Sequence, residues 1–302
     1  MEATVIYNQN AGGADKLSVD EAMTLLGKQG YDPVYKATGD EEDLDEVLEN
    51  TQGLVVAVGG DGTQRAVACR LIGKDAAMTI IPLGTANNIA RTLGIEGSPE
   101  AIIRGLGNPI KLAFDVGQME SPFGKDYFLE AAGCGLFADL LYDYDPDQGK
   151  SVLRALNTLK DVAIGYEPKY WQVSLDGKPL SNEYIGLEIL NTKATGPRLK
   201  LAPKADPTDG LLDVVCVKEP ELLKLFDYMG KLFSDAFDEM DNVQVVQGKK
   251  LELHWNGSPF HIDAQLHPDP QQANTQDCHG QPISIELLPG ALKLYKPGKV
   301  AD

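Results

Sequence analysis

The sequence predicts an open α/β domain followed by an all-β domain, and three observations carry that prediction. Over roughly the first 115 residues, short apolar runs alternate with amphipathic stretches. Apolar runs that are continuous suit a parallel sheet covered on both faces by helices. After that point, short strands separated by turn signals replace the helical periodicity, which is the pattern of an antiparallel sandwich or barrel. The chain has 302 residues and is 43% hydrophobic, enough for two domains that each bury a core.

The elements follow in order. "ATVIY" is a strand leading into the Asn/Gly-rich turn "NQNAGG". "SVDEAMTLLGKQG" is a helix: Ser18 and Glu21 form a capping box, and Val19, Ala22 and Leu26 share a face. "PVYKA" is the second strand, and "GDEEDLDEVLEN" is a helix with the acidic first turn that the helix dipole favours. "LVVAV" and "MTIIPL" are the third and fourth strands, followed by the helices "TQRAVACRLIG" and "TANNIARTLG". Ser98-Pro99-Glu100 starts one more helix, with proline at its first position. In the second half, "KYWQVSLDGKPLSNEYIGLEIL" reads as a hairpin around Asp-Gly. "LLDVVCV", "VQVVQG", "KLELHW", "FHIDA" and "ISIELL" are further strands. "LRALNTLKDVAIGY" and "PELLKLFDYMGKLFSDAF" are helical, and "HPDPQQANTQDCHG" is a polar, turn-rich insertion. "GALKLYKPGK" is expected to return to the first domain, giving boundaries at 1–117 with 289–302, and at 118–288.

Net charge is −18, from 27 basic and 45 acidic residues. That balance excludes nucleic acid as a partner, because its phosphates require a basic footprint. It equally argues against purely electrostatic docking on anionic lipid. Cys69, Cys134, Cys216 and Cys278 are widely spaced with no CxxC pair, as in a reducing, cytoplasmic setting. No apolar run of membrane-spanning length and no signal-peptide pattern is present.

The chemistry concentrates at "GGDGT", residues 59–63, directly after "LVVAV". In an open parallel sheet, ligands bind beyond the carboxyl ends of the strands. Glycines there let backbone amides approach an anion at the positive end of a helix. A glycine-rich turn alone is as often structural. Here "IIPLGTANNIAR" repeats the arrangement at Gly84 and Thr85, and residues 8–13 offer a third polar loop, so the three together suggest a nucleotide site.

"GGDGT", with "PLGTANNIAR" at 82–91, resembles the diacylglycerol kinase catalytic-domain family, which includes bacterial lipid kinases and sphingosine kinases. The resemblance continues through "FDVG" at 114–117, "FLEAAGCGLFAD" at 128–139, "LKLAPKADPTDGLLDVVCV" at 199–217 and "PISIELLPGALKLYKP" at 282–297. It implies an N-terminal α/β nucleotide-binding domain, a C-terminal antiparallel β-sandwich, and an active site in the cleft between them. It also implies transfer of the ATP γ-phosphoryl group to a lipid hydroxyl, with Mg²⁺ and a substrate met at a membrane surface, hence peripheral contact there. By analogy Asn8, Gly12, Thr38, Gly59, Gly60, Asp61, Gly62, Thr63, Gln64, Arg65 and Thr85 are the ATP-site residues. Asp209, with backbone oxygens of Asp206 and Leu211, matches the family's structural Mg²⁺ site; oxygen ligands suit that hard cation.

The family's late "DGE" motif is Asp263-Ala264-Gln265 in this chain. Asp263 is therefore the candidate general base, and Asp61 and Asp115 the carboxylates for a catalytic Mg²⁺. Asn-Glu after "GGDGT" is replaced by Arg65-Ala66, and Asn-Asp in the second loop by Asn87-Asn88. Arg65 is a candidate to contact a phosphate directly.

Simpler readings stand beside these. Asp263 is also what an exposed strand position would carry, and Asp209 is also a type I turn former. His254, His261, His267 and His279 cluster in sequence but lack the spacing of a preformed zinc site. The amphipathic "LLKLFDYMGKLF" suits packing against the sandwich better than membrane docking. NAD kinase, which shares "GGDGT", is a rival enzyme, and a catalytically weak relative that binds nucleotide or lipid is the rival of another class. The acceptor lipid is not distinguished, and a homo-oligomer stays open.

Overall fold

The computed structural model describes residues 1–38, 41, 43–143, 166–218, 230–232, 234–269 and 278–299. The chain divides into two compact units, Met1–Asp115 with Pro289–Asp302, and Val116–Leu288.

The first unit contains β1 (Glu2–Tyr7), α1 (Val19–Lys28), β2 (Asp32–Lys36), α2 (Asp43–Leu48), β3 (Leu54–Gly59), α3 (Asp61–Leu71), β4 (Ala77–Pro82), α4 (Asn88–Thr92) and α5 (Pro99–Gly105). β5 (Ile110–Ser121) begins there and runs on into the second unit. β2, β1, β3 and β4 lie side by side, all parallel, and the end of the last strand joins β4 in parallel through Lys293 and Leu294. β3 occupies the middle, and every residue of it is buried. Each Val or Leu so buried stabilises the fold by about 1.5–3 kcal/mol, which is why the central strand carries no polar residue. The caps behave as the sequence predicts: Ser18 Oγ accepts from Glu21 N at 3.2 Å, and Ser98 Oγ from Ala101 N at 3.3 Å.

The second unit contains β6 (Gly124–Phe128), β7 (Ala131–Gly135), α6 (Leu136–Asp143), β8 (Lys169–Trp171), β9 (Val173–Leu175), β10 (Lys178–Pro179), β11 (Asn182–Tyr184), β12 (Gly186–Leu190), β13 (Leu212–Val217), β14 (Val243–Gly248), β15 (Lys250–His254), β16 (Phe260–Ile262) and β17 (Gln265–His267). β18 (Pro282–Lys296) starts there and ends in the first unit. One sheet orders β10-β9-β15-β18, with β5 also paired to β18 and β6 paired to β5. The other orders β14-β13-β12-β7-β16-β17 and is antiparallel throughout. Phe128, Leu253 and Ile285 from the first meet Leu187, Val214 and Phe260 from the second in one core, joined by Trp171 of the separate two-stranded β8–β11 sheet. The opposite face of the six-stranded sheet is covered by Leu136, Phe137 and Leu140 of α6, with Leu199, Leu201 and Phe237. The architecture is thus an α/β unit plus a β-sandwich-like unit, as the sequence predicts.

Two expectations change. The helix expected from Thr85 starts only at Asn88, because Asn87 sits in the left-handed region (φ 52°, ψ 48°). The strand "ISIELL" does not stop before the glycine but continues as the fifteen-residue β18. Most of the two helices expected at 153–166 and 220–237, and the centre of the 267–280 insertion, lie outside the described residues. Among the described residues no helix is long and apolar enough to cross a membrane.

Candidate functional site

β3 ends at Gly59, Gly60 is the N-cap of α3, and no side chain caps that helix. The first amides of a helix have no acceptor within it. Gly62 and Thr63, in the first turn, line a cavity of about 550 Å³ together with Tyr7, Asn8, Tyr35 and Thr38. Asn8 Nδ2 donates to Thr63 Oγ1 at 2.9 Å, and Asn8 Oδ1 accepts from Asn10 N at 2.9 Å, so one side chain fixes two walls.

The second glycine loop is held by Asn87. Its Oδ1 accepts from Gly84 N at 2.9 Å and its Nδ2 donates to Gly84 O at 2.8 Å. Gly84 packs backbone against backbone: a Cβ there would stand 2.6 Å from Gly60 Cα. Gly13 N donates to Leu83 O at 3.0 Å, so the third loop is tied in as well.

Asp61 joins the two glycine loops. Its Oδ2 accepts from Asn87 N at 2.7 Å, and the amides of Asn88 and Ile89 also favour its charged form. The carboxylate therefore serves as the anion at the start of α4. Burial, the largest influence, pushes its pKa up against those amides. Asp61 Oδ1 is buried with no hydrogen-bond partner among the described residues.

The other predicted residues of this unit fall in different places. Thr38 lines the cavity, whereas Gly12 and Thr85 are exposed and are not among its lining residues. Gln64 is fully buried and its Nε2 donates to Gly59 O at 3.3 Å, so it supports the end of β3 from within. Arg65 is 8% exposed. Asp115 is also buried, and its Oδ1 accepts from Gly290 N at 2.7 Å, fixing β18 where it re-enters the first unit.

In the second unit, Asp263 and Ala264 form the two-residue turn between β16 and β17, with φ of 46° and 65°. Asp263 Oδ1 accepts from Glu130 N (2.8 Å) and Ala131 N (3.1 Å), and its Oδ2 from Leu129 N (2.8 Å). Gln265 is exposed on β17. Asp206 Oδ1 accepts from Thr208 N and Oγ1, and Asp209 Oδ1 from Leu211 N at 2.9 Å. Nearby Asp213 is buried; its Oδ1 accepts from Gln247 Nε2 at 3.3 Å, and its Oδ2 has no hydrogen-bond partner among the described residues. Burial, opposed by Gln247 and reinforced by the Asp209 charge, pushes the Asp213 carboxyl up to about 6.

These donor sets suit a hard cation, because they are made of oxygens. Asp61 Oδ1 in one place and Asp213 Oδ2 in the other are buried carboxylate oxygens that a cation would satisfy. Among the described residues no group of three or more His, Cys, Asp or Glu is placed to hold a metal by itself. The histidines disperse: His254 Nδ1 lies 3.0 Å from Gly280 O, His261 Nε2 lies 2.8 Å from Glu188 Oε2, and His267 Nε2 lies 3.4 Å from Asp126.

Sequence reasoning missed the Glu188–His261 pair, both buried. The available signal was a charged residue inside the apolar run "IGLEIL".

The profile described as "Diacylglycerol kinase catalytic domain" matches residues 2–119, and "YegS C-terminal NAD kinase beta sandwich-like domain" matches residues 149–296. A Bacillus subtilis protein named "Diacylglycerol kinase" is 27% identical, covering 84% of this chain and 89% of its own. A Salmonella paratyphi A protein named "Probable lipid kinase YegS" is 28% identical, covering 95% and 94%. A Bacillus anthracis diacylglycerol kinase of solved structure superposes with a TM-score of 0.68 over 98% of this chain and 96% of its own. At 20% identity that likeness concerns the fold alone. With matching profiles on both units and relatives spanning nearly its full length, the chain belongs to the diacylglycerol kinase catalytic-domain family.

Proposed function

We propose that this protein is a lipid kinase that moves the γ-phosphoryl group of ATP to the hydroxyl of a diacylglycerol-like lipid. The observation that carries this reading is the uncapped start of α3 facing a cavity of about 550 Å³. The amides of Gly62 and Thr63 bind phosphate oxygens, helped by the positive end of the helix. Asn8 and Thr38 form the wall beside them, and Gly59, Gly60 and Gly84 keep the backbones close enough to reach the ligand. When bound, Mg²⁺ offsets the charge of the β- and γ-phosphates. Asp61 Oδ1 and Asp115 would hold that ion; Asp209, with backbone oxygens of Asp206 and Leu211, would hold a structural one. The lipid is met by peripheral contact with a membrane surface.

The acceptor proton is the weak point of the site. Gln265 cannot take it, and Asp263 is committed to three amides. Phosphoryl transfer through a loose transition state asks little of a base, so turnover is expected but slow. That geometry also favours a second reading, a family member that binds nucleotide without efficient transfer.

The test is transfer of label from γ-labelled ATP into a panel of diacylglycerol, phosphatidylglycerol, sphingoid base and ceramide in micelles with Mg²⁺. Asp61→Asn runs in parallel. Label in one lipid that vanishes in the variant supports the kinase. Mg-ATP binding with no labelled lipid supports the second reading.

A further inference from the structure

We propose that Glu188 and His261 are positioning residues: their buried contact across Gly133 fixes the register of the hairpin that presents Asp263 and Gln265. β16 and β17 have three residues each, and β17 is at the edge of its sheet. The hairpin is tied to that sheet through one neighbour, β7, by the three pairs Phe260–Cys134, His261–Gly133 and Ile262–Ala132. So short a ladder specifies register weakly, and a slip of one residue would turn every side chain to the other face.

The side chains supply what the ladder lacks. Glu188, Gly133 and His261 form one row across β12, β7 and β16. His261 Nε2 reaches over the glycine to Glu188 Oε2 at 2.8 Å. A Cβ on Gly133 would stand 2.3 Å from that same carboxylate oxygen, so the row needs its empty position. The Phe137 and His261 rings pack in a T-shape, 4.8 Å between centroids and 89° between planes, which holds the imidazole in place. In a slipped register His261 would enter the apolar core shared with Phe128 and Trp171.

Stability does not explain the pair. The side chains are 0% and 4% exposed, and His261 Nδ1 and Glu188 Oε1 have no hydrogen-bond partner among the described residues. A buried ionisable pair with unsatisfied atoms commonly adds no more stability than apolar residues of the same size, and the best-attested use of such pairs is to specify register. A second clamp acts on the same hairpin: Asp263 N donates to Ala131 O at 2.8 Å while its carboxylate takes the three amides of Leu129, Glu130 and Ala131.

The kinetic part of the test rests on the lipid-kinase reading, so a second readout is independent of activity. The variant is the double substitution Glu188→Met with His261→Leu, which keeps volume and removes the contact. Thermal unfolding, amide hydrogen exchange and steady-state kinetics are measured on the full chain. Expected are a midpoint close to wild type and exchange at Leu129, Glu130 and Ala131 about tenfold faster, with Val214 and Val215 of β13 unchanged. Turnover should fall about tenfold with the KM for ATP unaltered. Glu188→Gln, which still accepts from Nε2, should keep wild-type exchange. A double variant that fails to fold, or whose three amides exchange as in wild type, overturns the proposal. So does unchanged turnover where the wild type is active. If the wild type labels no lipid, the kinase reading fails and the exchange result alone decides this one.

Discussion

Replacing Asp263 with Asn separates an anchoring carboxylate from a catalytic one. The wild-type side chain takes three amide donors, two on Oδ1 and one on Oδ2. Asn keeps one acceptor oxygen and puts an NH₂ group where the other stood. In its better orientation it retains Glu130 N and Ala131 N but sets donor against donor at Leu129 N. A hydrogen bond to a charged group contributes about 1.5–3 kcal/mol and a neutral one about 0.5–1.5. Losing one charged bond and neutralising two others therefore costs about 3.5–6 kcal/mol. Each kcal/mol moves the midpoint of a unit this size by roughly 2–4 °C, so a fall of about 14 °C is expected. Differential scanning calorimetry reads the fall, and amide exchange at Leu129 to Ala131 locates it. A variant that melts within about 2 °C of wild type yet has lost all transfer would refute the anchoring argument and restore Asp263 as the base.

Ala264→Gly should stabilise. An L-residue in the left-handed region carries about 1–2 kcal/mol of strain, and the looser unfolded chain of glycine takes back about half of that. A gain near 1 kcal/mol is expected in urea unfolding at constant m-value. Gly84→Ala would drive a Cβ to 2.6 Å from Gly60 Cα and 2.8 Å from Asn87 Oδ1. Mg-ATP affinity, read by titration calorimetry, should drop at least about tenfold as the two loops separate. Asp61→Asn bears on pH. Burial holds the folded Asp61 pKa above its ordinary 3.8, so its contribution to stability is full below that value and is lost as pH rises through the folded pKa. In protein free of metal and nucleotide, the midpoint of Asp61→Asn minus that of wild type should grow as pH is raised from about 4 to 7. A flat difference would mean the carboxylate is not strained by burial. Gln265→Glu, which restores a carboxylate capable of accepting a proton, should raise turnover about tenfold or more without changing the KM for ATP.

Local patterns made much of the fold legible. The apolar runs of β1, β3 and β4 gave their strands, Ser18 and Ser98 gave their caps, and Asp176-Gly177 gave the turn between β9 and β10. Asn87 was the local failure. Its position in "GTANNIAR" fits a helix start, but its side chain closes the loop on Gly84, and Asp61 draws its amide out of helical register.

The two architectures, the family, and the glycine loops between strand and helix are legible along the chain, because each follows from spacing within a dozen residues or from motifs in fixed order. What the carboxylates touch is set by packing between distant segments. Asp61 meets Asn87 from 26 residues away, Asp263 meets the 129–131 amides across more than 130 residues, and Glu188 meets His261 across 73. Such contacts depend on which strands become neighbours, and no periodicity records that. The acidic residue inside "GGDGT" is legible as a letter, but its work of joining two loops exists only once β3 and β4 lie side by side.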